Sequence, residues 1–154
     1  MRFENRATVP ASREKLYDFL MDVKSVSQCV PGVEDVREID PDHYQATMKM
    51  RVGPIALRFE GKMSIVERDR ERWRAVMQAE GTDRGVGGSV NARMVMTLQE
   101  RAPNETELVV DTDANVMGKL GEFGQPVMRK KADSITQEFA RNISQRVGAG
   151  ATPP

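Results

Sequence analysis

Residues 44–65 read YQATMKMRVGPIALRFEGKMSI, and side chains alternate between apolar and polar along both halves of this stretch. A period of two is typical of an antiparallel strand that buries one face. Gly53-Pro54 separates the halves and indicates a hairpin turn. We therefore predict two long paired strands, with inward faces formed by Ala46, Met48, Met50 and Val52 on the first and Ile55, Leu57, Phe59, Gly61, Met63 and Ile65 on the second.

Three later segments, at residues 72–81, 90–98 and 106–116, repeat this alternation, and residues 3–9 predict a further short strand. Their opposite faces are charged or polar, as expected for a sheet with one side in water. The sequence thus predicts an antiparallel sheet of about seven strands. The inward side chains of the three segments are Trp73, Ala75, Met77 and Ala79, then Val90, Ala92, Met94, Met96 and Leu98, then Leu108, Val110, Ala114 and Val116.

Helical periodicity flanks the predicted sheet. Ser12 can cap a first helix, and a second short helix is predicted at residues 25–29, where Pro31-Gly32 would end it. After the last strand, apolar residues recur at intervals of three and four, which predicts one helix long enough to cross the sheet. Its apolar stripe is Leu120, Phe123, Val127, Met128, Ile135, Phe139, Ile143 and Val147.

This order of elements is that of the α+β helix-grip fold of START and Bet v 1 type domains, in which a curved antiparallel sheet wraps around a long C-terminal helix. Two short helices follow the first strand in this arrangement. We expect one such domain over residues 1–147, followed at 148–154 by a flexible linker or a cloning remnant.

Composition is consistent with this assignment. The 154 residues are 39% hydrophobic and 30% charged, with a formal net charge of zero, so no field that would attract nucleic acid is indicated. A single cysteine excludes an internal disulfide and favours a reducing compartment. We see neither a leader nor an apolar run long enough to span a bilayer, and expect a cytoplasmic protein.

Few residues are candidates for chemistry. His43, the only histidine, has no second ligand at a suitable spacing, so we expect a solvated turn residue and no metal site. Cys29 is expected to be a buried structural thiol. Lys131 either extends out to solvent or places its ammonium at a pocket wall. The glycine-rich segment 81–88 is either a mobile gate or a plain hairpin.

Several short motifs together resemble one family, that of the carbon monoxide dehydrogenase G subunit (CoxG), within the SRPBCC superfamily of helix-grip domains. The resemblance covers roughly residues 1–147. The sequence departs from it at Gly121, where alanine is more frequent, and at Asn91, where glycine is common. The motifs are Cys29-Val30-Pro31-Gly32-Val33, Asp42 with Tyr44, Val52-Gly53-Pro54 followed by Phe59 and Gly61, Gly88-Ser89, and Gly118-Lys119-Leu120 with Gly124.

The resemblance implies an accessory protein of a molybdenum-dependent carbon monoxide dehydrogenase or a related molybdenum hydroxylase. Some members are similar to carriers that take a quinone such as menaquinone from the membrane, at its inner face, and present it to the partner enzyme. Many members have a C-terminal extension thought to contact the membrane, and this extension is missing after Pro154. No covalent cofactor is implied.

Methionine is flexible and polarizable, so methionines on an inward face suit either a pocket for a ring with a long tail or ordinary core filling. We predict an elongated apolar cavity between sheet and helix, because Gly118, Gly121 and Gly124 supply no bulk there. Met50 and Met96 are expected to border empty space, and Ile135 and Phe139 to be core. The predicted ligand-binding residues are Met48, Met50, Phe59, Met63, Met77, Met94, Met96, Met117, Leu120, Phe123 and Val127.

Two other function classes remain open. The first is a ligand-free assembly or membrane-docking factor that uses the outer sheet face. The second is an enzyme of the polyketide cyclase or dehydratase type, which shares the fold. That enzyme would need an inward acid or base, and Thr112 is essentially the only inward polar residue we identify.

Overall fold

Seven strands form one antiparallel sheet in the computed structural model, which describes residues 1–148. Their order across the sheet is β1-β7-β6-β5-β4-β3-β2, so the first strand lies beside the last. The strands are β1 (Arg2–Val9), β2 (Val33–Asp40), β3 (His43–Val52), β4 (Ile55–Asp69), β5 (Arg74–Asp83), β6 (Gly88–Ala102) and β7 (Glu105–Gly118).

Three α-helices complete the fold: α1 (Arg13–Met21), α2 (Val23–Ser27) and α3 (Gln125–Val147). The Ser12 hydroxyl accepts a hydrogen bond from the Lys15 N–H, which confirms the predicted cap. The second helix begins earlier than predicted because the Asp22 carboxylate caps it through the Ser25 N–H and hydroxyl. A 3-10 helix (Lys119–Phe123) connects β7 to α3, and Pro126 stands in the first turn of α3.

The register confirms that the predicted apolar side chains share one face. Met48 lies opposite Phe59 and Met77 lies opposite Met94, and directly opposed residues point to the same side of a sheet. The architecture is the predicted helix-grip fold. We call the apolar side the inner face because α1, α2 and α3 cover it, and the polar side the outer face.

Two details of the strands differ from the prediction. β5 begins at Arg74, because Trp73 has a φ of 54° and belongs to the turn before the strand. The Trp73 ring instead packs edge-on against Tyr17 of α1, with 5.7 Å between ring centroids. The segment Val33–Asp40, which shows no clear alternation in sequence, pairs with β3 as an edge strand, and shifts of register interrupt its period.

The long helix α3 packs mainly on β1, with smaller contacts to α1. Its Gln137 side chain donates to the Arg6 carbonyl at 2.8 Å, which fixes the helix over that strand. None of the helices within residues 1–148 has the length and apolar character needed to cross a bilayer. Apart from Gly148, the linker expected at 148–154 lies outside the described residues.

Candidate ligand-binding groove

The inner face is packed at its two ends. At the end near α1 and the C-terminal half of α3, a cluster centred on Leu16, Leu108 and Ile143 is fully buried, and a smaller cluster around Val23 adjoins it. At the opposite end, the 3-10 helix inserts Leu120 beside Val52 and Leu57 of the β3–β4 hairpin. The ends of the sheet therefore have a conventional hydrophobic core.

The middle of the inner face is not packed in this way. Met48 on β3 and Met94 on β6 belong to none of the packed clusters, and both side chains remain partly exposed. Partial exposure of these two side chains indicates that the helices cover this part of the face less closely than its ends. We call this less covered part, between the two packed ends, the inner groove.

Small side chains deepen the inner groove. Ala79, Ala92 and Ala114 oppose one another across β5, β6 and β7. Beside them, Gly61 opposes Gly81. A Cβ added to Gly61 would lie 2.1 Å from the Glu80 carbonyl oxygen, so the approach of these two strands requires glycine. The three alanines add little bulk to this part of the face, whereas the Phe59 side chain already lies over Gly81, 3.3 Å from where a Cβ would stand.

The N-terminal half of α3 forms the opposite wall. Ile143, in the C-terminal half, is 0% exposed, whereas Met128 and Ile135 are partly exposed and Val127 is 43% exposed. The apolar stripe thus continues along the helix after its packing against the sheet has ended. Lys131 lies beside this stripe and is half-buried, which leaves both of its predicted orientations open.

Apart from Val127 on α3, the predicted ligand-binding residues fall into three groups in the structure. Met48, Met50, Phe59, Met63, Met77 and Met94 lie on the inner face with partial exposure, and all of them except Met48 and Met94 also pack against the clusters at its ends. Met96 and Leu120 are 4% and 0% exposed and belong to the packed ends, which Phe123 also joins. The expectation that Met96 borders empty space is therefore wrong. Met117 lies opposite Ser89 on the outer face and is 51% exposed, away from the groove, because it has the outward parity of β7.

Two polar side chains lie on the inner face of the neighbouring strands β1 and β7. The sequence analysis identifies Thr112 as an inward polar residue but does not identify Asn5 of β1. The sequence does contain a signal for Asn5, because alternation along β1 puts it on the apolar face together with Phe3, Ala7 and Val9. Asn5 is only 8% exposed.

The other candidate residues have structural roles. Cys29 is buried, and burial raises the pKa of its thiol above the ordinary value. The His43 ring hydrogen-bonds the Asp40 carboxylate at 2.7 Å on the surface, and within residues 1–148 no cluster of His, Cys, Asp or Glu could hold a metal ion. Asp83 has inward parity, but its carboxylate accepts the Gly85 N–H at 2.7 Å and so holds the β5–β6 turn.

Two clefts reach the surface elsewhere. One of about 780 Å³ crosses the outer face over β2 to β6 and is lined largely by polar residues such as Thr47, Lys62 and Glu80. The other, of about 420 Å³, lies at the β3–β4 hairpin, where Met50 and Leu57 line it beside basic residues. The second cleft therefore adjoins the hairpin end of the inner face.

Solved structures share this fold over nearly the whole chain. A conserved protein from Geobacillus kaustophilus superimposes with a TM-score of 0.84 at 21% identity, covering 94% of this chain and 93% of its own. A START superfamily protein from Mycobacterium smegmatis gives a TM-score of 0.63 at 15% identity, with 95% and 96% covered. The Zhui aromatase/cyclase from a Streptomyces species gives 0.58 at 15% identity, with 94% and 89% covered. At these identities the likeness shows the fold alone.

Sequence comparison is more specific. A search of curated proteins finds no match. The sequence model of the family described as the G subunit of carbon monoxide dehydrogenase (CoxG) matches residues 6–148, which include all seven strands except the start of β1, and the whole of α3. The chain belongs to the CoxG family.

Proposed function

We propose that this protein binds a lipophilic small molecule in the inner groove and carries it to a partner enzyme. The observation that carries the proposal is the partial exposure of Met48 and Met94 between two packed ends of one inner face. Exposed contiguous apolar surface is unfavourable in water and marks a binding site more often than a defect of packing. A ligand that fills the groove would remove this surface from water.

The side chains suit a ring with a flexible tail. Methionine thioethers adapt their rotamers and make favourable contacts with the edges of aromatic rings. From Thr112 on β7 to Met48 on β3 the inner face spans four strand spacings, or about 19 Å, and an offset from Ile65 to Phe59 along β4 adds about 20 Å in the perpendicular direction. An elongated ligand fits this shape better than a compact one.

We further propose that the ligand is a quinone such as menaquinone, taken from the membrane, and that the partner is a molybdenum-dependent carbon monoxide dehydrogenase or a related molybdenum hydroxylase. Family membership supports the partner, because the family is named after a component of that enzyme. The groove supports a lipophile with a ring and a tail. In this role the protein is an accessory carrier that performs no chemistry on its ligand.

An enzymatic role has one argument in its favour, the shared fold with an aromatase/cyclase. General acid or base catalysis needs a titratable group within reach of the ligand. Along the described inner groove the polar side chains are the amide of Asn5 and the hydroxyl of Thr112, neither of which is an acid or base near neutral pH, and Lys131 at the helix wall is the one titratable residue beside it. A single lysine without a second acid or base favours binding over catalysis.

A ligand-free docking factor is the remaining alternative, and it would use the outer face. Reconstitution of electron flow from the partner dehydrogenase to a long-chain quinone separates it from the carrier. Met48→Glu places an uncompensated charge in the groove and should abolish quinone uptake. Gln45→Glu introduces the same charge on the outer face of the same strand and is the matched control.

We expect the wild type and Gln45→Glu to restore electron flow to the quinone. Met48→Glu should still bind the dehydrogenase and fail to restore flow. If Met48→Glu, shown to be folded and free of ligand, restored flow as well as the wild type, the carrier role would be wrong and the docking factor would be the better account.

A further inference from the structure

Asn5 is a polar residue in an apolar position. It lies on the inner face of β1 opposite Val110, and its neighbours along that face are Phe3 and Ala7. The packed end of the core includes Ala7 but not Phe3. Asn5 therefore stands at the boundary between the packed end and the inner groove, and it is 8% exposed.

The amide of Asn5 has unused hydrogen-bonding capacity. Among the residues that the structure describes, the asparagine and threonine side chains that form hydrogen bonds are Asn142, Thr106 and Thr136, and neither Asn5 nor Thr112 is among them. Leaving a buried amide without a partner is costly, so native proteins seldom do so. A partner from outside the chain, water or a bound molecule, can meet this requirement.

The unused amide borders space that another molecule can enter. In residues 1–148, the one side-chain nitrogen or oxygen that is both sealed from water and without a partner is Nε of Arg13, near Trp73. The polar atoms of Asn5 are thus not sealed, although the residue as a whole is buried. They are therefore accessible to water or to another molecule.

Thr112 supplies a second polar group at the same place. It lies opposite Phe3 and is therefore the diagonal neighbour of Asn5 across the β1–β7 pair, within reach of one small functional group. On its other side Thr112 opposes Met94, which in turn opposes Met77 on β5. The groove thus has a polar end at β1 and β7 and an apolar remainder.

We propose that Asn5 and Thr112 bind an oxygen atom, carbonyl or hydroxyl, on the head group of the lipophilic ligand and so select oxygen-bearing lipophiles over hydrocarbons. The proposal rests on the carrier function above and specifies its ligand. The Asn5 amide donates to a carbonyl or accepts from a hydroxyl, and the Thr112 hydroxyl does either. The apolar body of the ligand then extends along Met94 and Met77 towards Met48.

The test compares two ligands that differ in their oxygens alone, 2-methyl-1,4-naphthoquinone and 2-methylnaphthalene, by calorimetric titration. We expect the wild type to bind the quinone about tenfold more tightly than the hydrocarbon, since unpaired polar groups in the site penalise the hydrocarbon. Asn5→Leu should lose most of this preference. Asn115→Leu, on the exposed outer face of β7, should keep it.

A second variant and a measurement of stability distinguish a ligand-binding role of the Asn5 amide from a structural one. Thr112→Val preserves shape and should also reduce the preference. Ligand-free Asn5→Leu should unfold at a temperature no lower than the wild type, whereas a structural role for the amide would lower it. An unchanged preference in both Asn5→Leu and Thr112→Val would overturn this inference alone. Failure of the wild type to bind either compound would overturn the carrier function and this inference with it.

Discussion

Cys29 shows at the scale of one residue how burial decides reactivity. The side chain is 2% exposed, and the Asn142 amide donates to the Cys29 carbonyl at 2.9 Å, which joins this segment to α3. Loss of solvent raises the pKa of the thiol above its ordinary 9.0, so the thiolate that would react is scarce near neutral pH. The thiol therefore acts as a small apolar side chain of the packed end.

We predict that iodoacetamide at neutral pH modifies Cys29 far more slowly in the folded protein than in guanidinium chloride, because both access and thiolate are lacking. Intact-mass spectrometry over time measures the two rates. The unfolded protein serves as the control for reagent activity. Similar rates in the two states would contradict the burial of this residue.

Glu107 is the second residue with a distinct electrostatic role. Its carboxylate accepts from Arg101 at 2.7 Å and from Arg6 of β1 at 2.8 Å, so it links β1 to the β6–β7 hairpin. The hydrogen bond from Arg101, followed by that from Arg6, holds the pKa of Glu107 below its ordinary 4.5. A carboxyl group with a lowered pKa stabilises the fold above its ordinary pKa, and this contribution is lost as the pH falls through the folded-state value.

We therefore predict that in Glu107→Gln the free energy of unfolding depends less steeply on pH below 4.5 than in the wild type. Near neutral pH the slope should be the same in both proteins. Urea unfolding at a series of pH values measures this. Arg101→Gln removes the main donor and should change the curve in the same direction. Curves for wild type and Glu107→Gln that stay parallel through the acid range would show that the pair contributes nothing.

The face of the sheet to which a side chain points could be predicted from the sequence wherever the alternation along its strand is unbroken. Met48 and Met94 lie where the alternation places them. Whether a given inward methionine meets packed core or open groove could not be predicted, because that depends on where α1 and α3 lie over the sheet, as Met96 illustrates. The alternation in β1 places Asn5 on the inner face, but one polar residue within a short strand carries little weight against the overall pattern, and the sequence analysis does not single it out.

At the scale of the element, α3 changes its role along its length. Its C-terminal half is packed core, with Ala140, Ile143 and Val147 buried against β1 and α1. Its N-terminal half forms a wall of the groove. The apolar stripe is continuous in sequence, so the division between core and groove comes from the sheet beneath the helix.

We predict that Ile143→Ala costs about 2–5 kcal/mol of unfolding free energy, as truncation of a fully buried side chain does. Ile135→Ala, the same substitution two turns earlier, should cost less than about 1.5 kcal/mol, because its side chain borders unfilled space. Chemical denaturation of the ligand-free variants compares the two. Equal losses would mean that the N-terminal half of α3 is packed like the rest. This revises the sequence-based expectation that Ile135 is core.

The strands were predictable where their period was uninterrupted and less so elsewhere. The β3–β4 hairpin follows directly from the alternation on either side of Gly53-Pro54. The predicted start of β5 is too early, since Trp73 fits the alternation but takes a positive φ in the turn. β2 lacks a clean period because its pairing with β3 shifts register after Glu34. Bulges and turns of this kind are set by local backbone geometry and by tertiary packing.

At the scale of the whole molecule, a sheet packed at both ends and open in the middle should gain stability when the opening is filled. A ligand that binds only the folded state at a hundred times its dissociation constant adds about 2.7 kcal/mol. For a chain of this length we predict a rise in unfolding temperature of about 5–10 °C with a saturating water-soluble quinone. Differential scanning calorimetry measures it, with Met48→Glu as the variant that should show no rise. An equal rise in both proteins would place binding outside the groove.

If the inner groove holds a lipophile, the protein should take menaquinone out of a membrane and keep it bound, and this can be measured directly. Wild type and Met48→Glu would be incubated with phospholipid vesicles containing menaquinone, separated from the vesicles, extracted with organic solvent and analysed by mass spectrometry. We expect near-stoichiometric menaquinone on the wild type and almost none on Met48→Glu. Absence of quinone from the folded wild type, or equal amounts on both proteins, would contradict it.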